Sequence, residues 1–194
     1  MAYFFRPCTL EMDHESYMQF VIRHHRELGL PYAFAVKLSF MASPLALGQA
    51  LLVVDEDSWE FVGAAGFVFG TGAGQYEDRH ICQVEVAFLQ EPQRRTLLFA
   101  RGMQAVVELA ERNNPDVRFL QFWVPEDWTR SERIVRKLLS LPGSHVHEDN
   151  GMALCRLPFD EIARYCRRLN DRRTTGYCST SRETFRRSFV PGGG

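Results

Sequence analysis

An apolar strand-like run, a short basic loop and a long amphipathic helix follow one another without a break in VEVAFLQEPQRRTLLFARGMQAVVELA, residues 84–110. Across 97–112, Leu98, Phe99, Met103, Val106, Leu109 and Ala110 recur at the spacing of one helix face. NNPD ends that helix, and VRFLQFWVP (117–125) resumes as a strand. Two neighbouring strands joined through a returning helix run parallel, because an antiparallel pair needs only a tight turn. The segment therefore predicts one parallel strand pair with a crossover helix on one face of a sheet.

The rest of the chain reads as antiparallel. YFFRPC is a short first strand ended by Pro7, followed by a helix in LEMDHESYMQFVIRHHREL with Asp13 as its N-cap and GLP (29–31) as its break. YAFAVKLSFMA (32–42) predicts a second helix closed by SPLALG. ALLVVDE (50–56), FVGAAGFVFG (61–70) and HICQVEVAFL (80–89) are strands separated by polar turns. WTRSERIVRKLLSL (128–141) predicts one helix, and Asn150-Gly151 marks a type I′ hairpin between SHVHED and MALCRLPF. FDEIARYCRRL (159–169) is a last helix. The expectation is one α/β (α+β) domain over 1–169, with a mixed, mostly antiparallel sheet flanked by helices, and a mobile Arg-rich tail over 170–194.

Composition excludes several classes. Hydrophobic residues at 45 % and charged residues at 24 % fit a soluble globular protein. No stretch approaches the roughly 18 apolar residues of a membrane span, and MAYFFRPCTLEMD lacks a signal-type apolar run. A cytoplasmic protein with no membrane partner is expected. The cysteines (Cys8, Cys82, Cys155, Cys166, Cys178) are scattered and never spaced as CxxC, which argues against a disulfide framework or a zinc knuckle. From Arg164 onward eight arginines face only Asp171 and Glu183, so the preceding body is acidic. An acidic body favours a cationic ligand, while the tail lacks the interleaved aromatics of a single-strand nucleic-acid binder.

Most motif-like stretches reduce to ordinary structure. GTGAGQ (70–75) runs into a strand and lacks Lys-Ser/Thr, so it reads as a hairpin loop. HVHEDN (145–150) could place His145 and His147 on one strand face, but the remaining histidines all precede it and the hairpin context does not suit a metal; no metal is expected. There is no GxSxG. The loop before the long helix is more informative. A helix N-terminus presents unpaired N–H groups and a positive dipole end, which suits a pyrophosphate, and Arg94, Arg95 and Arg101 add charged donors. Taken alone, this stretch reads rather as an ordinary strand-loop-helix with solvated arginines.

The order of elements over residues 3–158, with this loop between the fourth strand and the long helix, resembles the Gcn5-related N-acetyltransferase (GNAT) superfamily. RTLLFA (95–100) occupies the place of that family's Q/R-x-x-G-x-G/A loop, keeping Arg95 and Ala100 and putting Leu98 at the first glycine. The resemblance implies acetyl-CoA as cosubstrate, an amine-bearing acceptor and direct acetyl transfer. It implies that the backbone of Phe88, Leu89 and Gln90 pairs with the pantetheine arm. Arg94, Arg95, Thr96, Leu97, Leu98, Phe99, Ala100 and Arg101 would hold the pyrophosphate, backbone N–H groups serving from Thr96 to Arg101. Glu85 falls where some members carry a general base; as a residue of an alternating strand it reads equally as a surface glutamate. Leu139 stands where a tyrosine acid is often found, leaving Ser131, another group or water to protonate the thiolate. Tyr32, Phe34 and Trp123 are candidates for acceptor walls or for core. A homodimer is compatible with this reading, nucleic-acid binding through the tail is not favoured, and a catalytically inactive GNAT-like binding or regulatory protein is the alternative.

Overall fold

The computed structural model describes residues 2–94 and 97–180, with side chains as far as 169. Strands β1 (Tyr3–Pro7), β2 (Gly48–Asp55), β3 (Phe61–Phe69), β4 (Ile81–Leu89), β5 (Phe119–Pro125), β6 (His145–Asp149) and β7 (Met152–Pro158) form one sheet in the order β1-β2-β3-β4-β5-β7-β6. Every neighbouring pair is antiparallel except β4–β5. The predicted mixed sheet and its single parallel pair are both present.

Alternation along the strands creates two cores. Leu51, Val53, Phe67, Cys82 and Leu120 face the crossover helix α4 (Leu98–Asn113) and the last helix α7 (Phe159–Thr180). Ala50, Leu52, Ala64, Val86 and Phe88 face the opposite way, onto α1 (Glu11–Arg23) and α2 (Phe34–Leu47). Burying the α1/α2 side brings backbones close. A Cβ on Gly66 of β3 would stand 2.5 Å from the Tyr17 hydroxyl and 2.6 Å from Pro44, so only glycine fits beneath these helices.

Four boundaries differ from expectation. α1 begins at Glu11, so Asp13 is not its N-cap but lies inside the first turn. α2 runs through Pro44 to Leu47, because a buried proline can stay in a helix whose packing holds it. The helix predicted over 128–141 is broken at Glu132, whose extended backbone separates α5 (Trp128–Ser131) from α6 (Arg133–Leu139). α7 continues to Thr180, past the helix end expected at Leu169; residues 181–194 of the tail lie outside the described residues. The β6–β7 turn is as predicted, with Asn150 and Gly151 both at positive φ.

Asp13 fastens the first strand to the first helix. Its carboxylate accepts from the Leu10 N–H at 3.1 Å and the Thr9 N–H at 3.3 Å and pairs with Arg6. Burial pushes its pKa upward, but those N–H groups and the Arg6 charge outweigh it, so the net displacement is downward. A carboxyl depressed in the folded state contributes stability above the unfolded value, and loses it as pH falls through the folded value. Asp13→Asn is expected to cost about 1–3 kcal/mol at neutral pH, the scale of hydrogen bonds to a buried charged group. In urea unfolding the gap from wild type should close in acid; a gap that persists there would assign the cost to packing instead.

Candidate active site

The parallel pair β4–β5 stays together for only four residues, from Ile81 opposite Phe119 to Val84 opposite Phe122. Beyond that point β4 continues to Leu89 beside β3 alone. Across β3 the register also shifts here, Phe67 lying opposite Val84 and Gly66 opposite Val86. Glu85 is therefore the extra residue of a β-bulge and the first residue past the parting of the strands, with no partner on either side. Bulges re-aim side chains in this way at sheet openings.

The opening exposes one edge of β4. The Gln90 N–H donates to Val62 O at 2.9 Å, toward β3. Antiparallel pairing alternates residue by residue, so the backbone of Phe88 also faces β3, while Ala87 and Leu89 face the opening. The sequence reading placed the free edge at Phe88–Gln90; the register puts it at Ala87 and Leu89. Phe88 instead sends its ring into the α1 side, stacked on His24 with centroids 4.9 Å apart.

Arg94 closes the far end of that edge. It lies in the short helix α3 (Glu91–Arg94), donates from Nε to Leu89 O at 2.7 Å, reaches Glu27 at 2.9 Å, and covers the Phe88 ring. Glu27 is held below the usual carboxylate range, first by its hydrogen bond from His24 and then by Arg94. On the other side, Gly29 (φ +70°) brings the loop after α1 against the Trp128 ring, where a Cβ would stand 3.5 Å away. Residues before α2 and after β5 thus meet across the opening.

The crossover helix starts beside Leu89 with Leu98, which is 3 % exposed and part of the main core. The leucine at the expected glycine position turns inward, away from the opening. Leu97 is exposed, and Phe99 and Ala100 occupy the first turn. Arg101 differs from the reading of the loop: its N–H bonds to Leu97 O and its guanidinium reaches Tyr3 O on β1 at 3.0 Å, over the Phe5 ring. Arg95 and Thr96 lie outside the described residues.

Glu85 is half-buried, and burial raises its pKa while a hydrogen bond from Gln83 Nε2 to its Oε1, at 2.7 Å, partly offsets this. Beneath the bulge, against Gly66, lies the Tyr17 hydroxyl, fully buried and without a hydrogen-bond partner among the described residues. Burial raises its pKa above the ordinary phenol value, with smaller contributions from Cys8 and Glu85. Gln83, Gln121 and Tyr17 were not among the candidate site residues read from the sequence. The available signal was Gln83 and Glu85 two apart in an otherwise apolar strand, matched by Gln121 in FLQFW.

Tyr32 and Phe34 are 39 % and 46 % exposed, which excludes a core role; Tyr32 packs on Phe40 and Phe34 on His25. Trp123 is half-buried on β5 just past the parting. Ser131 is exposed at the end of α5, and no hydrogen bond links it to Glu85 among the described residues. Leu139 packs against the core. His145 and His147 stand on the exposed edge strand, and the described residues hold no cluster of three or more metal-ligating side chains. No helix among them is long and apolar enough to cross a membrane.

No family profile matches the chain, and no curated protein does. Solved structures do. An acetyltransferase of the GNAT family from Staphylococcus aureus aligns over 81 % of this chain and 99 % of its own, at 10 % identity and TM-score 0.56. An aminoglycoside acetyltransferase solved with coenzyme A and kanamycin aligns over 84 % and 98 %, at 20 % identity and TM-score 0.56. The ribosomal-protein-S5-alanine acetyltransferase from Vibrio fischeri aligns over 84 % and 96 %, at 14 % identity and TM-score 0.54. The sheet order, the parted β4–β5 pair and these alignments agree: the chain has the fold of the Gcn5-related N-acetyltransferases.

Proposed function

We propose that the protein is an acetyl-CoA-dependent N-acetyltransferase that acts on a primary amine by direct transfer. The observation that carries this reading is Glu85, unpaired and half-buried where β4 parts from β5. Bound acetyl-CoA would supply an acetyl group activated as a thioester. The opening fits its extended arm: Ala87 and Leu89 present backbone groups as a strand edge would, and the Leu98 side chain turns into the core.

The chain's own residues would then handle the proton. An amine reaches the opening as an ammonium and attacks only after losing a proton. Glu85 would take it on Oε2, the oxygen that Gln83 does not hold, and its raised pKa brings it closer to the working pH of a general base. Among the described residues no cysteine suits a thiol intermediate, because Cys8, Cys82, Cys155 and Cys166 are buried with pKa values pushed up, to about 12 for Cys8 and about 11 for Cys155 and Cys166. Tyr32, Phe34 and Trp128 offer exposed aromatic surface around the entrance, suited to an acceptor with an apolar portion beside its amine.

The second reading is a GNAT-shaped binding protein without turnover, favoured by Leu139, which puts no acid on α6. Calorimetric titration with acetyl-CoA, and with desulfo-CoA alongside, separates the possibilities when followed by an amine panel read through thiol release. Binding at about micromolar Kd with turnover of at least one amine is the expected result. Binding without turnover on a broad panel would leave the second reading, and absence of binding at millimolar ligand would remove the first reading and leave the second.

A further inference from the structure

Gln83 and Gln121 are two of the few buried polar side chains, 8 % and 2 % exposed, and they face each other directly across β4–β5. Gln121 in turn lies directly opposite Arg156 across β5–β7. All three point to the same side of the sheet as Glu85. They form one continuous chain of hydrogen bonds: Arg156 Nε donates to Gln121 Oε1 at 3.0 Å, Gln121 Nε2 donates to Gln83 Oε1 at 2.7 Å, and Gln83 Nε2 donates to Glu85 Oε1 at 2.7 Å.

The direction of that chain is fixed from one end. A guanidinium can only donate, so Gln121 must offer its oxygen to Arg156 and turn its amide NH2 to Gln83. Gln83 must then accept from Gln121 and donate to Glu85. Turning either amide over would set two donors or two acceptors against each other in a buried place, where an unmade hydrogen bond is costly. Arg156 rests over the Phe119 ring, 5.7 Å from its centroid, and makes no ion pair among the described residues.

We propose that Arg156, Gln121 and Gln83 are positioning residues that hold one oxygen of Glu85 as a hydrogen-bond acceptor and leave the other free for the acceptor's proton. The relay itself rests on the geometry above; its use in catalysis rests on the acetyltransferase reading. Other titratable groups facing Glu85 come from the α1 side: the Tyr17 hydroxyl, and beyond it the Cys8 thiol with Asp13 and Arg6. None of them belongs to the relay, and each is unchanged in the variants below.

The test is the titration of the Glu85 side-chain carboxyl by carbon-detected NMR, assigned with Glu85→Gln, in wild type, Gln83→Leu, Arg156→Met and Arg156→Lys. Gln83→Leu removes the donor to Glu85 and should move its midpoint to higher pH. Arg156→Met touches nothing that contacts Glu85, yet frees both amides to turn over and should move the midpoint the same way. Arg156→Lys keeps an obligate donor and should restore it. With an active amine, kcat/KM of Arg156→Met should fall about tenfold near neutrality, its acid limb shifting up. Variants that melt earlier but leave the Glu85 midpoint unmoved would overturn the relay and leave a structural ladder. If Gln83→Leu does not fold, the partly exposed Arg156 pair decides alone. Shifted midpoints without acetyl transfer to any amine would uphold the relay and reject the catalytic reading.

Discussion

If the protein is the proposed acetyltransferase, Glu85→Gln is expected to lower amine acetylation by about 100- to 10,000-fold while leaving acetyl-CoA affinity within a small factor. The substitution keeps the shape of the side chain and its place in the bulge, so the loss would report the proton acceptor alone. A second readout separates this from damage to the fold. Burial raises the pKa of Glu85, so the folded protein binds that proton more tightly than the unfolded chain does. Above the raised value the buried charge destabilises the fold, and the penalty disappears as pH falls toward the ordinary glutamate range. Glu85→Gln carries no such penalty. It should melt at or above wild type at neutral pH, with the difference narrowing in acid. Lost activity together with equal or greater stability is the pattern of a functional group kept at a cost to the fold. Full activity in Glu85→Gln would remove Glu85 from the mechanism. Lost activity with a clear drop in melting temperature would assign the effect to the bulge.

What could be read beforehand divides along physical lines. The crossover from β4 through α4 to β5 was legible because a long helix face and two apolar strands each repeat over many residues. The resulting sheet order then follows from few choices. Local breaks were harder. Pro44 looks like a helix stop in isolation, but the helix continues through it with the proline buried over Gly66. Glu132 looks helical, yet its extended backbone divides α5 from α6. The candidate site was half legible. Glu85 could be singled out by position, but its bulge is a fact of register, visible only when three strands are placed together. The relay from Arg156 spans 71 residues between 85 and 156, and nothing local in either strand announces the pairing. Register also decides which β4 backbone groups face the opening: of the expected Phe88, Leu89 and Gln90 it keeps Leu89 and adds Ala87.

Leu98 supplies the largest expected effect on stability. A glycine at this point of a phosphate-holding loop lets the backbone come close to the ligand, so a leucine there suggests a blocked site. The fold gives the side chain a different destination. Leu98 is 3 % exposed and packs in the main core with Leu89, Val106 and the other residues beneath α4. Leu98→Gly would remove a buried side chain at about 2–5 kcal/mol and add the backbone freedom of glycine in a helix, roughly 1 kcal/mol. A chemical-denaturation midpoint far below wild type is expected, with little change in slope. Acetyl-CoA affinity, measured at a temperature where the variant is folded, should not improve, because the side chain does not stand between the ligand and the backbone. A variant that binds acetyl-CoA tenfold more tightly would show that the leucine does obstruct the groove. Tolerance of Leu98→Gly without destabilisation would place the side chain outside the core. The expected result, a large loss of stability with no gain in binding, would make leucine at this position a packing choice. The helix would then be held from inside by Leu98.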